Sequence, residues 1–273
     1  MLKVGLSTGR NERALTEPFL ASLQAAGIDG IEVSTAYLDE AMAEDYRYLP
    51  TLAAKYGIAL WSYHIPFAPF DRIDPSHKDH AAFTIDAFSE LIKMKSELGF
   101  GRVVIHPSGE PIADEDRAER MKVAKESFAK LAKVAASCGV VIAIEDLPRT
   151  CLCRNSDEML DLLSADPTLR ACFDTNHLLT EDPADFARKV GSKIVTTHVT
   201  DCDFVNERHW YPGEGKINWP ALMRALDEVG YNGPFIYELG LTANEFHRAL
   251  TPVDLINTAH EIFAYKTPTR LLP

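Results

Sequence analysis

Residues 140–148 read VVIAIEDLP: five consecutive apolar residues, Val140 to Ile144, run straight into the carboxylate of Glu145. A strand covered on both faces reads as such an unbroken apolar run. A charge at its end is poor core material, because burying it is costly unless something pairs with it. The same arrangement recurs in both directions along the chain. Upstream lie GIEVS with Glu32, IALWSYHIP with His64 and VVIHPSG with His106. Downstream lie ACFDTNHLL with Asp174 and His177, IVTTHVTD with His198, NERHWYPGEG with Glu207 and His209, and PFIYELG with Glu238. Repetition in the same place, strand after strand, implies that these side chains converge on one site.

Strand patterns fall at 2–7, 30–34, 58–64, 102–106, 140–145, 170–174, 193–199 and 234–238. Helical patterns alternate with them at 12–26, 39–56, 76–98, 115–138, 155–164, 183–190, 219–229 and 252–265. Glycines at 27, 57, 99, 139 and 230 stand where helices should end. Eight strand–helix units predict an α/β protein, a single (β/α)8 TIM barrel spanning 1–273. An open doubly wound sheet would carry a glycine-rich phosphate turn after an early strand, and none is present. In a parallel barrel all strand ends share one mouth, where active sites are found.

An apolar content of 46% and a charged content of 25% are those of a globular protein with a large core. The net charge of -12 argues against a general nucleic-acid-binding surface. Five cysteines in unrelated contexts suggest a reducing compartment rather than a disulfide framework, and Cys151-x-Cys153 reads as loop packing. MLKVGLSTGR begins like a strand, with neither a signal-peptide core nor an apolar span, so a cytoplasmic location and no membrane partner are expected.

Four groups stand out as metal ligands: Glu145, Asp174, His198 and Glu238. The bland alternatives are a Glu145 salt bridge to Arg149 or Arg154, an Asp174 helix-cap role, and ordinary core histidines. Three carboxylates with one imidazole make an oxygen-rich site suited to one divalent ion, Mn2+ first, with Mg2+, Co2+ or Zn2+ as alternatives. Asp201 is available to hold His198 from behind. His64 and His106 read equally as structural or functional. His209 and Glu207 lie beside Trp210 and Tyr211, whose rings suit a sugar face, and Arg208 could hold a hydroxyl, carboxylate or phosphate.

Together these motifs resemble the xylose isomerase-like TIM barrel superfamily, from VGLSTG through YEL. Its branches include sugar-phosphate isomerases and epimerases, inosose isomerases and dehydratases, and AP endonuclease IV. In the isomerase/epimerase branch the matching positions make Glu145, Asp174, His198 and Glu238 the metal ligands. There Glu145 and Glu238 exchange protons with the substrate through a metal-stabilised enediolate, while His177 and Arg208 bind substrate oxygens. His64, His106, Glu207, His209 and Glu32 are then further substrate contacts. The resemblance to the endonuclease IV branch would instead use His64, His106, His177, Glu207 and His209 to build a cluster of three zinc ions, with Asp usual where Glu207 stands here. The resemblance thus implies a sugar, sugar-phosphate or keto-polyol isomerase or epimerase. A dehydratase on a keto-inositol or 3-keto sugar and a zinc AP endonuclease are the alternatives. Substrate identity and oligomeric state, homo-oligomers included, stay open.

Overall fold

The computed structural model of the protein describes residues 2–10, 15–244 and 247–271. Its strands are β1 (Val4–Ser7), β2 (Gly30–Ser34), β3 (Ala59–His64), β4 (Arg102–Ile105), β5 (Val141–Glu145), β6 (Arg170–Asp174), β7 (Ile194–Val199) and β8 (Phe235–Tyr237). All neighbours pair in parallel and β1 pairs β8, so the sheet closes into one eight-stranded barrel. Around it lie α1 (Glu17–Ala26), α2 (Leu38–Ala43), α3 (Leu49–Lys55), α4 (Ala81–Glu97) and α5 (Arg117–Ser137). The remaining helices are α6 (Ser156–Leu163), α7 (Pro183–Val190), α8 (Trp219–Glu228) and α9 (Pro252–Phe263). No helix among the described residues is long and apolar enough to cross a membrane.

The expected strands are therefore all present, and Gly27 and Gly139 end their helices at φ 89° and 69°, where a Cβ would be strained. Three helices differ from expectation. The pattern at 39–56 splits into α2 and α3, because Pro50 is tolerated only in a first turn and restarts the helix there. The pattern at 76–98 begins at Ala81, because Asp74 Oδ1 takes the Ser76 backbone N–H at 2.8 Å and holds a turn. The first expected helix, 12–26, begins at Glu17, and residues 11–14 lie outside the described residues.

Period two sorts each strand. Ile142 and Ile144 belong to the large core between sheet and helices, while Ala143 packs inside the barrel with Val104 and Cys172. Glu145, two residues beyond Ala143, therefore also points inward. The same count sends Asp174 inward beyond Cys172. Two bulges break the alternation: one in β7, where Val195 is skipped between Ala171↔Ile194 and Cys172↔Thr196, and one in β3. The β2–β3 register passes from Ile31↔Leu60 to Glu32↔Ser62, leaving Trp61 as the extra residue of a bulge. Trp61 turns inward as the barrel floor, against Gly5 and Gly30. A Cβ on Gly30 would stand 2.6 Å from the indole and 2.8 Å from the Ala59 carbonyl oxygen. Gly30→Ala should cost about 2 kcal/mol by overpacking. Gly101→Ala, with open space around its Cβ, serves as control. Thermal melts check this; equal midpoints for the two variants would contradict the floor assignment.

Candidate active site

His64, Glu145, Asp174 and His198 end or nearly end β3, β5, β6 and β7, and Glu238 follows β8 directly. Their side chains meet at the barrel's C-terminal mouth. His198 Nδ1 lies 2.9 Å from Glu145 Oε1, 3.5 Å from Glu238 Oε2 and 3.8 Å from Asp174 Oδ2. The other Glu145 oxygen, Oε2, lies 3.0 Å from His64 Nε2 and 3.2 Å from His106 Nε2. Glu145 thus bridges two clusters. A third is formed by His177, Glu207 and His209, with His177 Nε2 3.3 Å from Glu207 Oε2.

The histidine ring orientations show which nitrogen is free. A carbonyl oxygen can only accept, so a ring nitrogen bonded to one must carry the proton. Nδ1 of His64 donates to the Ile65 carbonyl at 2.9 Å, that of His177 to Asp146 at 2.8 Å, and that of His209 to Glu238 at 3.0 Å. In their neutral forms all three then direct a bare Nε2 into a cluster. For His64 and His177 that lone pair faces a carboxylate oxygen, an arrangement that needs a proton or a cation between the two. His198 is turned the other way: Nε2 bonds to Glu32 Oε1 at 2.8 Å, leaving Nδ1 toward Glu145, Asp174 and Glu238. One nitrogen anchored behind and one presented forward is how proteins hold metal-binding imidazoles.

The electrostatics agree. Burial, opposed by His177 and reinforced by Glu238 and Glu145, pushes the Asp174 carboxyl up to about 8. Burial alone would lower the His198 imidazole, but Cys172, Glu32 and Glu145 outweigh it and hold it well above its usual value. Asp174 Oδ2 is buried with no hydrogen-bond partner, while Oδ1 accepts the Asn176 N–H at 2.6 Å. No helix starts at Asp174, so the expected helix cap is not found; one oxygen instead closes a short turn. Ligands ~2.1 Å from an ion stand ~3–4 Å from each other; within each cluster the donor atoms lie within 4.8 Å of one another. Buried carboxylates, an orphaned oxygen and forward-facing ring nitrogens fit divalent cations.

A cleft of about 150 Å³ opens above these groups, walled by Phe67, Phe70, Leu147, His106 and His209. Glu238 is 14% exposed, against 0–1% for Glu145, Asp174 and His198, so a ligand entering the cleft meets Glu238 first. Of the residues expected to contact substrate, His106, His177, Glu207 and His209 line this cleft. His64 lies beneath them, with Phe67 at its edge. Two stand elsewhere. Arg208 does not line the cleft: its guanidinium holds Asp203 at 2.8 Å and lies over Trp210. Glu32 is fully buried below His198, its other oxygen accepting from Ser62 at 2.7 Å.

Asp201, expected behind His198, is engaged otherwise. It accepts from the backbone of Cys202, Gly213 and Ile217 and from Trp219 Nε1, at 2.8–3.1 Å. It thereby ties off the loop that carries Glu207 and His209. Neither arginine proposed as a Glu145 partner reaches it: Arg149 pairs with Glu110 and Glu207, and Arg154 with Glu158. Cys151 and Cys153 are buried free thiols in a packed loop, as expected.

Two residues went unnoticed in the sequence. Asp146 Oδ1 accepts the Asp174 N–H at 2.7 Å, and its carbonyl orients His177. Asn176 accepts the N–H groups of Arg208 and His209, at 2.7 and 3.2 Å, fixing the loop over the site. Both adjoin expected site residues, Glu145 and His177, so position beside a strand-end charged group was the available signal.

Glu32→Gln isolates the charge behind His198. The amide can still accept from His198 Nε2, and the Ser62 hydroxyl can rotate to accept from it. Affinity for Mn2+ should fall about 10–100-fold with little change in melting temperature. Calorimetric metal titration reads this; unchanged affinity would remove Glu32 from the site.

Residues 20–254 match the sequence model of the xylose isomerase-like TIM barrel family. The D-psicose 3-epimerase of Ruminiclostridium cellulolyticum is 26% identical over 229 residues, covering 81% of this chain and 76% of that protein. The fructoselysine 3-epimerase of Shigella flexneri is 23% identical over 252 residues, covering 87% and 90%. Among solved structures, a D-tagatose 3-epimerase-like protein superposes with a TM-score of 0.79 at 21% identity, over 96% of this chain and 97% of the other. At that identity the structural likeness speaks for the fold. With the family match spanning most of the barrel, the chain belongs to the xylose isomerase-like TIM barrel family.

Proposed function

We propose that the protein is a divalent-metal-dependent sugar epimerase or isomerase in which Glu145 and Glu238 transfer the proton. The observation that carries this reading is the placement of both carboxylates against one imidazole nitrogen, His198 Nδ1, at 2.9 and 3.5 Å under an open cleft. Relatives named as 3-epimerases across most of their length support it. A divalent ion held by Glu145, Asp174, His198 and Glu238 would polarise a sugar carbonyl and its neighbouring hydroxyl, acidifying the C–H between them. One glutamate removes that proton and the other returns one. Return to the opposite face of the same carbon gives epimerisation, and return to the adjacent carbon gives isomerisation. Phe67 and Phe70 close one side of the cleft against water, and the bare Nε2 of His209 can accept from a substrate hydroxyl. The oxygen-rich ligand set favours Mn2+, Mg2+ or Co2+.

A second reading rests on the other two clusters. Two histidines with one carboxylate is a zinc-like set, and it occurs twice: His64, His106 and Glu145, then His177, Glu207 and His209. Three filled clusters would suit hydrolysis of a phosphodiester, as at abasic DNA. The net charge of -12 and the small cleft favour the sugar. Metal analysis of the purified protein, paired with assays on a ketose panel and on abasic-site DNA, tests both. About one ion per chain with ketose turnover is expected. Three zinc ions with DNA cleavage would overturn the first reading in favour of the second.

A further inference from the structure

At the opposite, N-terminal end of the barrel lies a cavity of about 450 Å³, lined by Lys3, Trp61, Arg102, Ser192, Tyr231 and Asn232 among others. None of its lining residues is acidic, although the chain as a whole carries a net charge of -12. Arg102, at the start of β4, reaches in from the barrel wall. Its Nε is buried without a hydrogen-bond partner, and it forms no ion pair among the described residues. Other well-covered arginines do not behave so: Arg117 binds Glu158 at 2.6 Å, and Arg120 binds Asp74. The carboxylate within electrostatic reach of Arg102, Glu32, has both oxygens engaged by His198 and Ser62. The Tyr231 hydroxyl is likewise engaged, donating to the Pro234 carbonyl at 2.6 Å. A largely buried guanidinium without a counter-charge is costly, and here it faces an open cavity with a second cation at its rim.

We propose that this floor cavity is a binding site for a tetrahedral oxyanion, orthophosphate or the phosphate group of a small monoester. Arg102 would grip it through its planar fork, with Lys3 adding charge and Trp61 offering a ring face to an organic substituent. The site lies at the far end of the barrel from the cleft and does not depend on the proposed reaction.

The test uses the full chain loaded with Mn2+, titrated with inorganic phosphate and with phenyl phosphate. Binding is followed by calorimetry and by tryptophan fluorescence, since Trp61 lines the cavity. Saturable binding that changes the fluorescence is expected. Arg102→Met should weaken it at least about tenfold, the loss of one charge-assisted hydrogen bond, while Arg102→Lys should fall between. Tighter phenyl phosphate binding identifies a monoester; equal affinities identify orthophosphate. Trp61→Phe should keep the heat of binding and lose the fluorescence change. In selenate-soaked crystals an anomalous peak is expected beside Arg102. No saturable binding, equal affinity in wild type and Arg102→Met, or a selenium peak confined to the catalytic cleft would each overturn the proposal.

Discussion

Glu145→Gln is expected to lose about a thousandfold or more in the proposed proton transfer while the barrel stays folded. The two oxygens of Glu145 serve different clusters: Oε1 faces His198 at 2.9 Å, and Oε2 faces His64 and His106 at 3.0 and 3.2 Å. An amide can neither take up the proton nor lend negative charge to the proposed ion, so chemistry and metal retention fall together. Folding survives because the amide hydrogens can point to the lone pairs of His64 and His106. Burial is the largest influence on Glu145, and alone it would raise the carboxyl. His198 and His106 outweigh it and hold the group ionised, well below its usual value. Because the carboxyl is held below its usual value, its ionised form stabilises the metal-free fold at neutral pH, so the melting temperature measured in chelator should fall modestly. Turnover in excess metal, metal content and melting are the three readouts. Near-wild-type turnover in Glu145→Gln would remove this residue from the chemistry.

Asp201→Ala should be the most damaging substitution outside the ligand set. Four donors converge on this fully buried carboxylate, three backbone N–H groups and the Trp219 indole. Gly215 leaves room for it, since a Cβ there would collide with Asp201 Oδ1. Leaving such donors unmet costs about 4 kcal/mol even if water reaches some of them, or roughly 10 °C in melting temperature for a chain of this size. The loop also carries Glu207 and His209, which wall the cleft, so turnover should be lost before the protein unfolds. Asp201→Asn keeps one acceptor oxygen and should fall between the two. Paired melting and turnover assays decide it: an Asp201→Ala protein that melts with wild type and turns over equally would show that other contacts hold the loop.

The barrel was legible in the sequence because strands buried on both faces leave unmistakable apolar runs, as at Val140–Ile144. Strand-end charged groups were legible for the same reason: a charge such as Asp174, directly after ACF, breaks a run that nothing else breaks. What depended on register or loop pairing was hidden. Glu32 pairs with Ser62, whereas Ser34 pairs with His64, so Glu32 sits one inward-facing level beneath the mouth. No local pattern announces that the bulge at Trp61 lets two successive residues face inward. Arg208 reads as a ligand-binding cation until Asp203, five residues earlier, is seen to hold it. Asp201 reads as a partner of His198 by proximity, yet the turn PGEG folds back onto it. The split of the 39–56 helix follows from Pro50, a visible signal that periodicity alone overrides.

The most direct test is proton exchange at carbon. The metal-loaded protein is incubated in D₂O with a panel of ketoses, and deuterium in the recovered sugars is located by NMR and mass spectrometry. The account predicts deuterium incorporation at a carbon beside the carbonyl of at least one ketose, lost in both Glu145→Gln and Glu238→Gln. Undiminished incorporation in both variants, or none with wild type on any sugar while abasic DNA is cleaved, would contradict it.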